Sequence, residues 1–408
     1  MAYLDHAATT SMRPEAIAAF TAALAEPGNP ASIHSAGQRA KRLLEESRER
    51  VAATLDADPI EVVFTGSGTE AVNLAIKGLW WQRQDGGRRA RPCIVVPGGE
   101  HHATVDTVEW LAAHEGAEVV EVPLDRVGRG RVDALAEALE RHGDAVALVT
   151  MLQVNNEVGT IQPVAEVAAL AARAGVPLHV DAIAAYGQLP VRFRSIRLET
   201  DAPPGAGLVA LSVSAHKIGG PAGIGALVLD RSATVEPLLH GGGQQRRIRS
   251  GTQDVAAAAA FAAAAQSAAA AREADAARLA ALRDRLVDGV ARIAPNATLS
   301  GDPDPAGRLP GNAHFAFAGC EGDSLLFLLD ASGVHVSTGS ACQAGVPEPS
   351  HVLMAMGRDE VEARGALRIT LGHDSTDADV DAFLAALPAA VERASRAGLA
   401  ARATSFDR

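Results

Sequence analysis

Lysine is scarce in this chain: Lys41, Lys77 and Lys217 stand against 34 arginines. Chemistry that needs a free amine has only these three candidates, because a guanidinium stays charged and cannot form a Schiff base. Cysteine is equally sparse. Cys93, Cys320 and Cys342 are odd in number and widely spaced in 408 residues, which excludes a disulfide-stapled secreted scaffold and fits a reducing cytoplasm. Aromatic residues make up only 3%, so Ala, Val, Leu and Ile must fill the core. No basic surplus exists: 49 acidic against 37 basic residues leave a net charge of −12. Such a balance argues against a surface built to neutralise many phosphates, and so against general nucleic-acid binding. Long apolar runs are missing too. The most continuous, Val255 to Ala265, is eleven mostly alanine residues against the roughly 20 that span a bilayer. The start, Met1-Ala-Tyr-Leu-Asp-His, lacks the basic and apolar regions of a secretion signal.

What is present is a folded chain of two or three packed units, 48% apolar and without internal repeats. Helical periods at Pro14–Leu24, Ala36–Leu55 and Thr69–Trp81 precede short β-rich runs at Ile94–Val96, Val119–Val122, Ala145–Met151, Leu178–Asp181, Leu208–Ser214 and Gly225–Leu229. Helical segments near Thr104–His114, Val132–Arg141 and Val164–Ala174 alternate with those runs. The alternation predicts an α/β unit with a mostly parallel sheet covered on both faces, its ligands at the carboxyl ends of the strands. The pattern changes at Asp254, an N-cap for a long alanine-rich helix reaching about Ala291. The domain boundary is placed there: a large unit over 15–253, and a smaller α+β unit formed by 1–14 with 254–395. Within the smaller unit Asn312–Phe317, Val334–Ser337 and Ala366–Leu371 read as strands, and Asp323–Ala331 and Asp377–Arg396 as helices. Residues 396–408 carry no core signal and read as a frayed tail.

Lys217 lies in Ser214-Ala-His-Lys-Ile-Gly-Gly, after a buried-looking strand and before glycines that permit close backbone approach to a ligand. A loop lysine before a turn and a Schiff-base lysine both fit. Lys41 sits among charged residues on a solvated helix face, and Lys77 in the last turn of its helix, where a cation suits the dipole. Asp181 ends the apolar strand Val176-Pro-Leu-His-Val-Asp, either as a helix cap or as the carboxylate that pairs with a pyridinium nitrogen when a lysine holds the aldehyde. Thr65-Gly-Ser-Gly-Thr-Glu offers a glycine turn opening a helix at Thr69, an anion site that matches neither dinucleotide nor Walker patterns. His240-Gly-Gly-Gly through Arg249-Ser-Gly-Thr252 is a second glycine-rich, basic segment. Its start resembles an esterase oxyanion loop, but no serine stands in Gly-x-Ser-x-Gly, leaving an anion loop. Cys342 lies in Ser337-Thr-Gly-Ser-Ala-Cys-Gln-Ala-Gly, a small, flexible, exposed-looking setting suited to a reactive thiol, whereas Cys93 and Cys320 read as structural. His101 and His102 stand at a loop-to-helix junction as caps or general bases. No metal-ligand spacing exists.

These segments, in this order, resemble the pyridoxal-phosphate-dependent cysteine desulfurases of the class V aminotransferase family. The resemblance runs from Tyr3-Leu-Asp-His-Ala-Ala-Thr-Thr to the last helix near Arg393. Its anchors are Gly28-Asn-Pro-Ala-Ser-Ile-His, Phe64-Thr-Gly-Ser-Gly-Thr-Glu, Glu100-His-His-Ala, Asn155-Asn-Glu-Val-Gly, His179-Val-Asp-Ala, Ser214-Ala-His-Lys, Gly241-Gly-Gly-Gln through Thr252, and Gly339-Ser-Ala-Cys. It implies the type I fold of pyridoxal-phosphate transferases, with a seven-stranded-type sheet in the large domain and a smaller C-terminal domain. Lys217 would hold pyridoxal 5'-phosphate, Asp181 would pair with the ring nitrogen, His101 would stack on the ring and assist proton transfer, and Asn156 would bond the ring hydroxyl. Gly68, Thr69, Ser214 and His216 would bind the phosphate, with Thr252 reaching it from the partner in a homodimer. Arg368, helped by Asn29, would clamp the substrate carboxylate. The Cys342 thiolate would take sulfur from L-cysteine as a persulfide, leaving L-alanine, and pass it to an acceptor protein. The longer cysteine loop resembles the subgroup that supplies iron–sulfur assembly and tRNA thiolation. One departure stands out: after Asp-Ala-x the family usually places a glutamine that bonds the ring hydroxyl, and here Ala184 stands there, with Gln188 as a distant substitute. Alternatives of the same fold are a selenocysteine lyase or an aminotransferase, the latter disfavoured because it needs no nucleophilic thiol. A catalytically impaired scaffold is the alternative of another class.

Overall fold

A computed structural model describes residues 1–84, 91–339 and 349–403, with 397–403 as backbone only. In chain order come β1 (Ala2–Tyr3), α1 (Pro14–Leu24), α2 (Ser35–Thr54), β2 (Val62–Thr65), α3 (Gly68–Gln82), β3 (Cys93–Pro97), α4 (His102–Glu115), β4 (Glu118–Val122), α5 (Val132–His142), β5 (Val146–Leu152), α6 (Val164–Arg173), β6 (Pro177–Asp181), α7 (Phe193–Glu199), β7 (Gly207–Ser214) and β8 (Gly225–Leu229). The remainder is α8 (Val255–Ile293), β9 (Ala297–Ser300), β10 (Asn312–Phe317), α9 (Gly322–Asp330), β11 (Val334–His335), α10 (His351–Ala355), α11 (Glu360–Arg364), β12 (Ala366–Thr370) and α12 (Asp377–Ala403).

Seven strands form the central sheet in the order β2-β8-β7-β6-β5-β3-β4. From β4 through β7 the pairing is parallel, while β8 runs antiparallel to both β7 and β2. Both faces are covered. Val51, Leu135, Val167 and Phe261 belong to the apolar layer on one face, and Leu74, Ile76, Val108 and Leu111 to the layer on the other. Burial on both faces explains why β5 and β7 read as continuous apolar runs rather than alternating ones.

A second core collects Leu4, Leu286, Phe315, Leu325, Ile369 and Phe383 around the antiparallel sheet β12-β10-β9. α8 joins the two: Ala258, Phe261, Ala262 and Ala265 pack into the first core, and Leu279, Leu282, Leu286 and Val290 into the second. Among the described residues α8 is the one helix long and apolar enough to cross a membrane, yet 56% of its most apolar stretch is buried within the protein, as expected of a core helix. Its alanines allow α1 and α2 to approach closely where larger side chains would clash.

Sequence periodicity misses β2, β9 and the short helices α7, α10 and α11, elements of four to seven residues that present too few repeats to show a period. α12 continues beyond Arg396 to Ala403, consistent with the strong helix formers in Leu399-Ala-Ala-Arg-Ala.

Candidate active site

Parallel β6 and β7 pair with Asp181 opposite Ser212, which brings the ends of both strands to one edge of the sheet. Asp181 closes β6, and Lys217 sits in the turn that follows β7. β2, at the sheet's far side, feeds directly into α3, whose first turn supplies Gly68 and Thr69. Gly68 is closely packed: a Cβ there would come within 2.4 Å of Ile183 Cδ1 and 3.1 Å of Ser214 Cβ. α4 begins at His102, with His101 as its cap. These elements enclose a cavity of about 260 Å³ lined by Gly68, Thr69, His101, Asn156, Asp181, Ser214, His216 and Lys217.

Hydrogen bonds set the posture of each group. Lys217 Nζ donates to the carbonyl oxygens of Ala7 and Ala8, the latter at 2.8 Å, so the N-terminal segment holds the amine. Burial and the nearby Arg368 guanidinium pull its pKa down to about 8, opposed by Asp5 and Asp181. Asp181, 2% exposed, accepts from Ile183 N–H at 2.9 Å; burial pushes its pKa up to about 6 against that bond and the charge of Lys217. His101 Nδ1 accepts from Ala103 N–H at 3.0 Å, which leaves the ring proton on Nε2. Burial, Lys217 and the neighbouring histidines lower the His101 pKa to about 4, so this ring is neutral near pH 7. His216, lowered to about 4 by burial and Lys217, lies 3.2 Å from Thr9 Oγ1 through Nδ1.

Arg368, on β12, donates from Nη1 to the Asn156 carbonyl at 3.0 Å and from Nη2 to Asp5 Oδ1 at 2.9 Å. It therefore stands beside the cavity, one residue behind Asn156. Arg249 donates to Glu70 Oε1 at 2.9 Å, and Glu70 Oε2 accepts from Gly66 N–H at 2.7 Å, so the second glycine-rich segment docks on the first. Thr252, exposed, is outside the cavity of its own chain. Asn29 is exposed as well, its side chain folded onto Ala31 N–H at 2.9 Å. Ala184 lines the cavity as a bare methyl, and Gln188 reaches an adjoining recess shared with Asn156, Ala184 and Lys217. Cys342 lies outside the described residues.

Sequence reasoning about the site overlooked Asp5, the ion-pair partner of Arg368, and Glu100. Glu100 is buried with Oε1 accepting from Leu152 N–H at 3.0 Å, and burial together with Asp181 drives its pKa well above the usual range. Both residues stand inside quoted motifs, but only the packing of chain ends more than 360 residues apart in sequence, at Asp5 and Arg368, shows what Asp5 does.

The residues present fit pyridoxal phosphate on physical grounds. Ser214 Oγ and Asn156 Oδ1 are buried without a hydrogen-bond partner among the described residues, which is costly unless another group supplies the bonds. Asp181 is a buried carboxylate at the cavity wall, suited to an aromatic N–H cation. The first turn of α3 presents backbone N–H groups and the positive dipole end to an anion.

Comparisons with known proteins agree with that geometry. The model of the class-V aminotransferase family matches residues 2–383. The IscS-like cysteine desulfurase of Mycobacterium tuberculosis is 54% identical over 405 residues, covering 99% of this chain and 100% of that protein. The cysteine desulfurase IscS of Methanosarcina thermophila is 37% identical over 96% of this chain and 92% of its own. A solved NifS-like protein superposes with a TM-score of 0.85 at 30% identity, covering 96% of this chain and 100% of its own. With the family model, the overall fold and nearly the whole length in agreement, the chain belongs to the class-V aminotransferase family, among its pyridoxal-phosphate-dependent cysteine desulfurases.

Proposed function

We propose that the protein removes sulfur from L-cysteine, releases L-alanine and carries the sulfur as a persulfide on Cys342 to an acceptor protein. The observation that carries this reading is the one cavity in which Lys217, Asp181 and His101 meet Ser214 Oγ and Asn156 Oδ1, which have no partner among the described residues. Lys217 holds the cofactor covalently and afterwards moves protons from the same position. Asp181 would pair with the ring nitrogen, Asn156 with the ring hydroxyl, and His101 would contact the ring. Gly68, Thr69, Ser214 and His216 take the phosphate, with the Thr252 of a second copy completing it in a homodimer. Pyridoxal phosphate, when bound, supplies a conjugated electron sink next to the substrate's amino group.

Arg368, with Asn29, orients the substrate carboxylate, a task for which a planar two-pronged donor is suited. Cys342, as thiolate, forms an S–S bond to the substrate sulfur while the substrate's Cβ–S bond breaks. The electron pair goes to Cβ, which takes a proton and becomes the methyl of alanine. Neutral His101 and Lys217 are the groups at hand to manage that proton. The division into a cofactor-holding unit over 15–253 and a smaller unit over 1–14 and 254–395 belongs to the same reading, as do a cytoplasmic setting and sulfur delivery to iron–sulfur or thiolation machinery.

Purified protein supplied with a thiol reductant and with cysteine or, separately, selenocysteine should yield alanine with sulfide or selenide, the reductant giving the two electrons that free the persulfide sulfur as sulfide. Alanine from selenocysteine alone would replace the proposal with a selenocysteine lyase, and a colourless protein that cannot be loaded with cofactor would point to a scaffold.

Ala184 offers a second test. A methyl donates nothing, so the ring oxygen is left to Asn156 and Gln188. Ala184→Gln should add one hydrogen bond, about 0.5–1.5 kcal/mol or roughly a two- to twelvefold tighter hold on the cofactor. Equilibrium loading and the absorption spectrum measure this; unchanged affinity, spectrum and turnover together would refute it.

A further inference from the structure

Glu157 follows the cavity residue Asn156 but does not line the cavity, and nothing in the proposed chemistry uses it. It is 1% exposed, and its backbone is fixed at both ends: its N–H donates to Asn155 Oδ1 at 2.9 Å, and its carbonyl accepts from Asn312 Nδ2 at 3.0 Å. A rigidly held, buried carboxylate needs a reason to be there.

Its side chain reaches both ends of the segment that carries Cys342. On the C-terminal end, Ser350 Oγ donates to Glu157 Oε2 at 2.5 Å while accepting from Leu353 N–H at 3.1 Å, so one hydroxyl caps α10 and ties it to Glu157. His351, the next residue, presents Nδ1 4.0 Å from Glu157 Oε1. Its other nitrogen, Nε2, donates to the carbonyl oxygen of Glu100 at 2.8 Å, directly before His101. On the N-terminal end, Gly339 has φ +86°, and a Cβ there would stand 3.4 Å from Glu157 Oε2 and 3.5 Å from His314 Nε2. Two residues earlier, Ser337 exchanges backbone hydrogen bonds with Arg368, which itself binds the Asn156 carbonyl.

We infer that Glu157 is a positioning residue for sulfur transfer: through Ser350 it anchors the C-terminal base of the Cys342 segment, beside the N-terminal base at Gly339, against the wall that holds Asn156. The inference rests on the proposed role of Cys342. It assigns Glu157 no contact with cofactor or substrate, so its loss should spare the steps that precede sulfur transfer. Misplacing a nucleophile by an ångström can cost about a hundredfold in rate, and partial loosening of one anchor should cost at least about tenfold in kcat on the same basis.

The test compares Glu157→Leu and Ser350→Ala, which remove the bond, with Glu157→Gln and Ser350→Thr, which keep an acceptor or a hydroxyl. Cofactor content, the spectral change on adding cysteine and its apparent Kd, and kcat for alanine formation are measured on each. The first pair should lose kcat with cofactor content and cysteine Kd unchanged, and the second pair should retain most of it. Unchanged kcat in Glu157→Leu and Ser350→Ala, or loss of cofactor or fold in both, would overturn the positioning role. Cys342→Ser run alongside separates the two failures: normal turnover there sinks the Cys342 reading, whereas normal turnover in Glu157→Leu beside an inactive Cys342→Ser sinks the positioning role alone.

Discussion

Cys342→Ser is expected to remain yellow with bound cofactor and to stop forming persulfide and alanine from cysteine. A hydroxyl is neither ionised near neutral pH nor able to accept sulfur, so the loss should be close to complete. The two remaining thiols offer no bypass. Cys93 opens β3 in the interior, and burial together with Glu118 pushes its pKa up to about 11; at pH 7 only about one molecule in ten thousand would carry the thiolate that reacts. Cys320 is buried too, and burial and Glu321 raise its pKa. Mass spectrometry of protein incubated with cysteine should therefore find one added sulfur, located on Cys342, in the parent and none in the variant. Release of alanine and sulfide by Cys342→Ser at the parent rate would show that another group is the nucleophile.

Lys217→Ala should lose the borohydride-reducible attachment of pyridoxal phosphate and lower turnover by about 10²–10⁴-fold, the range a positioned proton-transfer group supplies. Neither other lysine can take its place. Lys41 is on an exposed face of α2, and Lys77 Nζ rests over the Trp110 ring, 4.1 Å from its centroid. The parent protein carries a second signature in pH. Arg368 and burial favour the neutral amine, Asp5 and Asp181 favour the charged one, and the result is a pKa of about 8; His101 and His216 also face the amine but stay neutral near pH 7. Lowering a lysine's pKa raises the share of free amine below its ordinary value, to about 10% at pH 7 against well under 0.1% for an unperturbed side chain. Cofactor uptake by the cofactor-free protein should accelerate as pH rises through about 8 and then level off. A rate still climbing toward pH 10, or a reducible attachment surviving in Lys217→Ala, would contradict the assignment.

Local features explain what was readable. α1 and α5 follow from helical periods and β7 from its apolar run, and α8 follows from the Asp254 cap, whose side chain accepts from Ala257 N–H at 2.8 Å. The Gly68 and Lys217 turns sit where a glycine, or a lysine at a strand end, suggested. What failed to show were the short elements β2, β9, α7, α10 and α11 and the antiparallel course of β8, since direction in a sheet depends on the neighbouring strand rather than on the strand's own pattern.

The sequence by itself determined the chemistry available: one lysine at a strand end, one carboxylate at the end of the preceding strand, one thiol in a small-residue segment and the order of motifs that marks the family. Tertiary structure decided how those groups behave. Asp5 meets Arg368, the carbonyls of Ala7 and Ala8 meet Lys217, and Ser350 meets Glu157 only because the N-terminal segment and the smaller core fold back over the sheet edge. The pKa of Lys217 and the neutrality of His101 arise chiefly from desolvation and from charges brought in from elsewhere in the chain, which no window of neighbouring residues encodes.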